Sequence, residues 1–280
     1  MNLIIASEAD SASINLRNRL LEMAPLKKCG QFDGNDVWEI TESKGAFCKK
    51  GTQLISINQI HIHAENIDEK FEKKRNVKVN NIIFLSRHKA ASGKPSLTVH
   101  PIGNWGEADY GGIKGAITPA SPNLMTSLLR EIKRNQLSGY DVCFEATHHG
   151  PLLKTPTLFL EIGSTYKEWE DVVPAKALIK SLLEFECKEG KNVLGIGGGH
   201  YTPRFTEAAL SHNVSFGHII ANYGIPHITE DLIMKAIEAG NSEGIYFHKK
   251  GMKKKEYNNL KLLAENLQIP IFRQSDYEPL

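Results

Sequence analysis

Short apolar runs alternate along the chain with stretches in which apolar side chains recur at helical intervals. Leu3–Ala6, Ile82–Leu85 and Thr157–Leu160 are continuous apolar runs, which are typical of strands buried on both faces. Pro122–Arg134 and Pro174–Phe185 place apolar residues on one helical face, and each begins with the proline that a first helical turn tolerates. This alternation predicts an α/β fold, a three-layer α/β/α arrangement around a mixed, largely parallel sheet.

The remaining pattern predicts one compact catalytic unit that spans residues 1–280. Asp10 or Ser11 is expected to cap the first helix. The other predicted strands are Val37–Ile40, Gln53–Ile57, Gln59–His63, Leu97–Pro101, Tyr140–Phe144, Asn192–Ile196, Val214–Ala221 and Gly244–His248. Because short strands crowd residues 32–79, we expect that region to form a smaller lobe or an edge extension of the sheet.

Composition narrows the class of protein. The chain has 280 residues, of which 41% are hydrophobic, and its formal net charge is only +2, which excludes a histone-like polycation. The four cysteines are scattered without a CxxC pair, so neither a disulfide framework nor a cysteine zinc site is expected. The N-terminus lacks the pattern of a signal peptide and no apolar run could span a bilayer, so we expect a cytoplasmic protein.

Titratable side chains follow several of the buried strands. The strand Tyr140–Phe144 leads directly into the segment Glu145–His149, which ends at a Gly-Pro turn. If the strands are parallel, their carboxyl ends share one rim. The residues that would then line a single crevice are Arg87, His88, Glu145, His148, His149, Glu161 and His200. The alternative is that Glu145 caps a turn and the histidines are polar loop residues.

Histidine and carboxylate side chains support two kinds of hydrolytic chemistry in such a crevice. They are suitable ligands for a catalytic Zn²⁺, which keeps one position open for water. Without a metal, a His–Glu pair could act as general base. No serine lies in a GxSxG elbow and no cysteine accompanies these motifs, so a covalent acyl-enzyme is less favoured. His61 and His63 could also chelate a metal, but on a strand they are more simply the solvent-facing side.

Two further motifs suggest contacts with anions. Gly197–Gly199 joins a strand to a helix, where backbone N–H groups can approach a phosphate, carboxylate or ester oxygen, although a tight structural turn explains it equally well. Five lysines cluster near the C-terminus, and they form either a phosphate-binding patch or a solvated face. These lysines are Lys249, Lys250, Lys253, Lys254 and Lys255. The long loop 103–121 also carries the aromatic residues Trp105 and Tyr110.

Several of these segments together resemble the archaeal and plant type of D-aminoacyl-tRNA deacylase. The matching segments are Phe84–Gly93, Thr98–Gly106, Glu145–Pro151, Glu161–Glu168, Gly195–Thr206 and Phe216–Tyr223. The resemblance implies hydrolysis of the ester between a D-amino acid and the 3′-terminal ribose of tRNA. It also implies dependence on zinc and a fold similar to the phosphorylase and peptidyl-tRNA hydrolase type.

Roles for individual residues are our own interpretation of this pattern. We expect Glu145, His148 and Glu161 to activate water, and His88, His149 and His200 to hold Zn²⁺. The residues expected to contact the substrate are Arg87, Trp105, Gly198, Gly199 and Tyr201, and the five lysines are expected to bind the tRNA acceptor end. DNA is not an expected partner. A metal-dependent peptidase, a nucleoside-cleaving hydrolase and a non-catalytic tRNA-binding module remain alternatives.

Overall fold

Twelve strands and eight α-helices make up the computed structural model, which describes residues 1–280. The strands are β1 (Asn2–Ser7), β2 (Leu26–Phe32), β3 (Asn35–Ile40), β4 (Gln53–Ile57), β5 (Asn81–Lys89), β6 (Ser96–Pro101), β7 (Asp141–Phe144), β8 (Thr157–Ser164), β9 (Lys191–Ile196), β10 (Val214–Ile220), β11 (Ile245–Phe247) and β12 (Ile271–Phe272). The helices are α1 (Ser11–Met23), α2 (Ile67–Arg75), α3 (Pro122–Arg134), α4 (Tyr166–Glu170), α5 (Val172–Glu184), α6 (Pro203–Ser211), α7 (Glu230–Ala239) and α8 (Lys254–Asn266). No helix is both long and apolar enough to cross a membrane.

The larger sheet has eight strands in the order β2-β3-β4-β1-β5-β8-β6-β7. The central strands β4, β1, β5 and β8 are parallel to one another. Strands β6 and β7 are parallel to each other but run antiparallel to β8. Helices α1, α3 and α5 pack on one face, and α2 packs on the other, so the predicted mixed α/β architecture is confirmed. The region 32–79 contributes β3 and β4 to this sheet and α2 to one of its faces, so it extends the sheet.

The smaller sheet has four strands in the order β10-β9-β11-β12, and all of them are parallel. Apolar residues of α6 pack with those of α3 and the larger sheet, whereas α7 and α8 pack on the opposite face of the smaller sheet. Helices therefore cover both faces of this sheet, as a doubly wound α/β unit requires. The predicted likeness to the phosphorylase type of architecture stays a prediction.

The local predictions succeeded where the apolar pattern dominates. Helix α3 covers Pro122–Arg134 as expected. Asp10 caps α1, because its Oδ1 accepts hydrogen bonds from the amides of Ala12 and Ser13 at 2.9 and 3.1 Å. The predicted strand Gln59–His63 is wrong, since the segment forms a short 3₁₀ turn instead. His61 is buried there, with Nε2 at 3.2 Å from Oδ2 of Asp10. His61 therefore does not face solvent, as the strand interpretation expected, whereas His63 is exposed.

The two sheets meet along the segment that follows β7. The amide of Ala146 donates to the carbonyl of His200 at 2.8 Å, and the amide of Thr147 donates to the carbonyl of Ile219 at 2.9 Å. Thr147 Oγ1 in turn accepts from the amide of Ile219 at 2.9 Å. On α3, the buried Arg130 donates to three carbonyl oxygens around α6 and β10. The chain after β7 is therefore bonded to both sheets.

Thr147 offers a direct test of this junction. In Thr147→Val the amide of Ile219 loses its side-chain acceptor inside the protein, so we expect the free energy of unfolding in urea to fall by about 1–3 kcal/mol. Thr147→Ser keeps the hydroxyl and is expected to lose only about 1 kcal/mol for the missing methyl group. Equal losses in the two variants would show that the hydroxyl does not contribute.

Candidate active site

Four neighbouring strands present the candidate chemistry on one face of the larger sheet. On β8, Glu161 lies beside Ser86 of β5 and Thr98 of β6. Because side chains alternate along a strand, His88 and His100 share the face of Glu161. Glu145 follows the pair Val99 and Phe144, so it shares this face as well. The row crosses β5, β8, β6 and the end of β7.

The predicted reason for this convergence was wrong. Strand β7 runs antiparallel to β5 and β8, so its carboxyl end does not share a rim with theirs. Glu161 and His88 lie within strands rather than beyond them. The groups meet because their side chains reach one another across the shared face, and because the segment after β7 crosses to the smaller sheet. His200 arrives from that second sheet.

Glu145 is the centre of the cluster. Its Oε1 lies 3.0 Å from Nδ1 of His88, and its Oε2 lies 2.9 Å from Nε2 of His200 and 3.6 Å from Nε2 of His148. The carboxylate is fully buried. Burial alone would raise the pKa of Glu145, but hydrogen bonds from His200 and His88 outweigh it and hold that pKa well below its usual range. Glu145 is therefore ionised.

His88 and His100 balance the charge of the two carboxylates. His88 Nδ1 also lies 3.6 Å from Oε2 of Glu161, and His100 Nε2 lies 3.7 Å from Oε1 of the same residue. Burial would lower the pKa of His88, but Glu145 and Glu161 together raise it to about 11. Burial would raise the pKa of Glu161, but His100 and His88 lower it to about 2. The pKa of His100 is also raised, because Glu161 outweighs its burial.

A second group consists of three histidines in contact. The ring centroid of His148 lies 4.3 Å from that of His100 and 4.4 Å from that of His149. In each ring Nδ1 faces a backbone carbonyl oxygen. His100 faces Pro101 at 3.1 Å, His148 faces Ala146 at 2.8 Å, and His149 faces Gly150 at 2.6 Å. Burial, and then the charge of His100, hold the pKa of His148 and His149 well below the usual range. In neutral rings held in this way, Nε2 carries the lone pair.

Three sets of these side chains could hold a metal ion, with ligand atoms within 4.8 Å of one another. The sets are His100, His148 and His149; His88, Glu145 and His200; and His100, Glu145 and Glu161. The predicted set His88, His149 and His200 is not among them, because the structure groups His88 and His200 with Glu145 and groups His149 with His100 and His148. His149 has a left-handed backbone with φ of 48°, and its ring packs beside His148 and His100 instead. His100 is the site residue that the sequence interpretation left out.

The predicted substrate contacts divide into two kinds. Tyr201 lies at the cluster, with its hydroxyl 2.9 Å from Nε2 of His88. Arg87 points to the opposite face, where its guanidinium lies over the ring of Trp169 at 5.3 Å. Trp105 is buried and donates from Nε1 to the carbonyl of Thr147 at 3.1 Å, so its ring is not an open stacking surface. Arg87 therefore lies away from the cluster, whereas Trp105 lines a cavity beside His148 and His149.

The glycine turn is partly used by the fold and partly open. The amide of Gly198 donates to Oδ1 of Asn222 at 3.0 Å, so it is not available to a substrate. The amides of Gly199, His200 and Tyr201 have no hydrogen-bond partner in the structure. A Cβ at Gly199 would meet no atom within 4 Å, which means that this position faces open space. Anion binding therefore stays a prediction for the amide of Gly199 and not for that of Gly198.

Comparison with known proteins identifies the family. Residues 75–272 match the family model for D-aminoacyl-tRNA deacylase. The chain belongs to the D-aminoacyl-tRNA deacylase family. Relatives bearing that name include proteins of Pyrococcus abyssi, 36% identical over 98% of this chain and 100% of the relative, and of Methanosarcina acetivorans, 35% identical over 98% and 92%. A crystal structure of a conserved protein of unknown function matches with a TM-score of 0.87 at 27% identity, covering 100% of this chain and 99% of the other.

This family membership confirms the predicted activity. The deacylase is an enzyme that hydrolyses the ester bond of D-aminoacyl-tRNA, and its substrate class is tRNA. The alternatives of a peptidase, a nucleoside-cleaving hydrolase and a non-catalytic tRNA-binding module are set aside. His/Glu groups that could hold a metal are present at the candidate site.

The titration of His88 tests the electrostatics of the site. In Glu145→Gln one of the two carboxylates beside His88 becomes neutral, so we expect its pKa in metal-free protein to fall by about 1–3 pH units. Histidine-selective NMR titration measures this directly. Glu207→Gln, which alters an exposed carboxylate on α6, should leave the titration unchanged. A wild-type His88 that titrates near its ordinary value of 6.5 would contradict the proposed charge pattern.

Proposed function

We propose that Glu145 is the general base of the deacylase. The observation that carries this is its position: an ionised carboxylate held by His88, His148 and His200 at the junction of the two sheets. Its Oε2 points toward His148 and His200, whose side chains are 25% and 31% exposed, so the solvent side of the cluster is at this oxygen. Glu145 takes a proton from the attacking water as the water adds to the ester carbonyl carbon. The same proton then passes to the departing ribose oxygen.

The carbonyl oxygen becomes negatively charged during this addition. The unpartnered amides of Gly199, His200 and Tyr201 precede α6 and can donate to that oxygen. The protonated ring of His88 and the hydroxyl of Tyr201 lie at the same edge of the cluster. Glu161, buried between His88 and His100, acts through those two rings, so we propose that it is a positioning residue.

The aminoacyl group has a place next to this base. A cavity of about 380 Å³ adjoins His148 and His149 and is lined on another side by the loop that carries Gly103–Tyr110. Its volume lies within the range of about 300–1,000 Å³ that is usual for small-molecule sites. We propose that this cavity receives the D-amino acid while the tRNA 3′ end stays outside it.

Zn²⁺ fits the three-histidine group best. The nearest acceptor to the buried Nε2 of His100 is Glu161 at 3.7 Å, beyond hydrogen-bond distance, so this nitrogen can give up its proton and bind a metal. Backbone carbonyls fix the opposite nitrogen in all three rings, as they commonly do behind metal ligands. His100, His148 and His149 would hold the ion, which would supply Lewis acidity toward the ester carbonyl and water. His148 would then be a ligand rather than an acid–base residue.

Metal analysis tests this assignment. Protein purified without added zinc is expected to contain about one Zn²⁺ per chain, as a three-ligand site predicts, and His100→Ala is expected to lose it. His63→Ala, an exposed histidine outside the cluster, should keep the metal. If His100→Ala kept its zinc and His200→Ala lost it, the ion would belong to His88, Glu145 and His200 instead. Full activity in a metal-free sample would remove zinc from the mechanism.

The surface supports a tRNA partner that carries its D-amino acid on the acceptor end. Tyr110, Tyr166, Tyr201 and Tyr223 are exposed at 69, 66, 38 and 51%, so their rings are open to unpaired bases. We propose that the lysines at 249–255 contact the acceptor end of the tRNA and that residues 1–280 act as one catalytic unit in the cytoplasm.

The activity itself is tested by following deacylation of tRNA charged with either enantiomer of one amino acid. The D-aminoacyl-tRNA should be hydrolysed faster than the L form by at least about 10–200-fold, the range that one pocket contact provides. Equal inertness toward both substrates would refute the assignment. Equal turnover of both would leave an ester hydrolase without chiral selection.

A further inference from the structure

The strand order of the smaller sheet marks a second crevice. From β9 the chain passes through α6 to β10 on one side, and then crosses through α7 to β11 on the other side of β9. The order therefore reverses between β9 and β11. In open parallel sheets, ligands bind outside the carboxyl ends of the strands at this point. Here the two flanking loops are the glycine turn Gly197–Gly199 and the segment His248–Gly251.

A cavity of about 890 Å³ opens next to this point, at the carboxyl ends of β11 and β12 and against α8, and its walls are strongly basic. The cationic residues that line it are Arg204, Lys249, Lys250, Lys261 and Arg273. Its one acidic residue, Glu265, is paired with Lys261 at 2.9 Å. Lys249, Lys250 and Arg273 form no ion pair with a carboxylate in the structure, so their charge is available to an anion. The volume is sufficient for a nucleotide.

Aromatic side chains accompany these cations. Tyr257 and Phe272 line the same cavity, and the ammonium of Lys249 lies 5.0 Å from the centre of the Tyr257 ring. Lys191, just outside the cavity, lies over the ring of Phe272 at 4.4 Å. Rings beside unpaired cations are the combination by which proteins bind single-stranded nucleic acid, with bases stacked and phosphates neutralised. A small inorganic anion would not require the aromatic walls.

The glycine turn separates this cavity from the catalytic cluster. Gly198 packs so closely on His248 that a Cβ would lie 2.8 Å from its Nδ1. Asn222 joins the two loops, because its Oδ1 accepts from the amide of Gly198 at 3.0 Å and its Nδ2 donates to the carbonyl of Gly251 at 2.6 Å. Two residues beyond Gly198, His200 contacts Glu145. The cavity and the base therefore lie on either side of one short turn.

We infer that this cavity binds a phosphate-bearing nucleotide of the single-stranded 3′ end of the substrate tRNA, next to the nucleotide that carries the ester. The inference rests on the proposed function and adds Arg204 and Arg273 to the tRNA contacts. It also divides the lysine run, because Lys249 and Lys250 line the cavity whereas Lys253, Lys254 and Lys255 do not. The single-stranded 3′ end of the tRNA would cross the glycine turn to bring its ester to Glu145.

The double variant Lys250→Gln and Arg273→Gln tests the inference. We expect the KM for D-aminoacyl-tRNA to rise about tenfold or more while kcat stays within about twofold, because each lost phosphate contact weakens binding and leaves the chemistry intact. The dependence of KM on salt should become shallower by about 0.7 per contact removed. A thermal unfolding midpoint equal to that of the wild type would show that the variant is folded.

Lys176→Gln is the matched control, since Lys176 is an exposed lysine without an ion pair on α5, which packs with α1 and α3, whereas the cavity adjoins the smaller sheet and α8. Its KM and salt dependence should equal those of the wild type. If the double variant behaves like this control while the wild type hydrolyses D-aminoacyl-tRNA, the inference is wrong and the proposed function stands. If the wild type hydrolyses no D-aminoacyl-tRNA, the proposed function itself fails.

Inhibition distinguishes the tRNA strand from a free nucleotide as the source of the phosphate. The trinucleotide CCA should inhibit the wild type competitively with charged tRNA, and should inhibit the double variant much less. A mononucleotide such as CMP that binds the wild type without competing with tRNA would assign the cavity to a free ligand and would overturn the inference.

Discussion

The candidate site depends on a buried carboxylate whose pKa the neighbouring histidines hold well below its usual range. Glu145 has no exposed surface, and it is held within hydrogen-bonding or ion-pairing distance of His88, His148 and His200. An unpaired charge in such a place would be strongly destabilising, so the surrounding histidines are as much a structural requirement as a chemical one. Those histidines come from different parts of the chain. The contacts that pair the carboxylate of Glu145 therefore join β5, the segment after β7 and the glycine turn of the smaller sheet.

The charges are arranged to suit an ester on a polyanion. The interior holds alternating carboxylates and histidines, in which Glu161 and Glu145 are ionised and His88 is protonated. The excess positive charge lies outside, around the cavity at the carboxyl ends of β11 and β12 and along the lysine run. The outer cations attract the tRNA, while the buried carboxylate of Glu145 remains shielded from the phosphates. Binding and chemistry are thus carried by different sheets, and the glycine turn connects them.

The sequence was most informative where side-chain periodicity or chemical density is local. Helix α3 was predicted to the residue because its apolar face and its leading proline are written in consecutive positions. The segment Glu145–His149 stood out because a buried strand runs straight into titratable groups. The direction of β7 could not be predicted, since parallel and antiparallel partners give the same short apolar run. The predicted residues other than Arg87 lie together, but they do not meet at a common rim.

The errors in assigning roles have a similar origin. His100 closes a strand much as other histidines do, and only the register of β6 against β8 brings it to Glu161. Trp105 lies in a glycine-rich loop, a composition that suggests exposure, yet its indole is fixed by the carbonyl of Thr147. Arg87 neighbours His88 in sequence, but alternation along β5 sends it to the other face. Contacts between distant segments decide the cases of His100 and Trp105, whereas that of Arg87 follows from its position within β5.

The most direct test of the account is the turnover of D-aminoacyl-tRNA by Glu145→Gln under saturating substrate. The amide keeps the size of the side chain but cannot accept a proton as the carboxylate does, so kcat should fall by about 10²–10⁴-fold. Binding of uncharged tRNA should remain within about twofold of the wild type, because the cations that hold the strand are untouched. A variant that retains the wild-type kcat would contradict the assignment of Glu145 as the base.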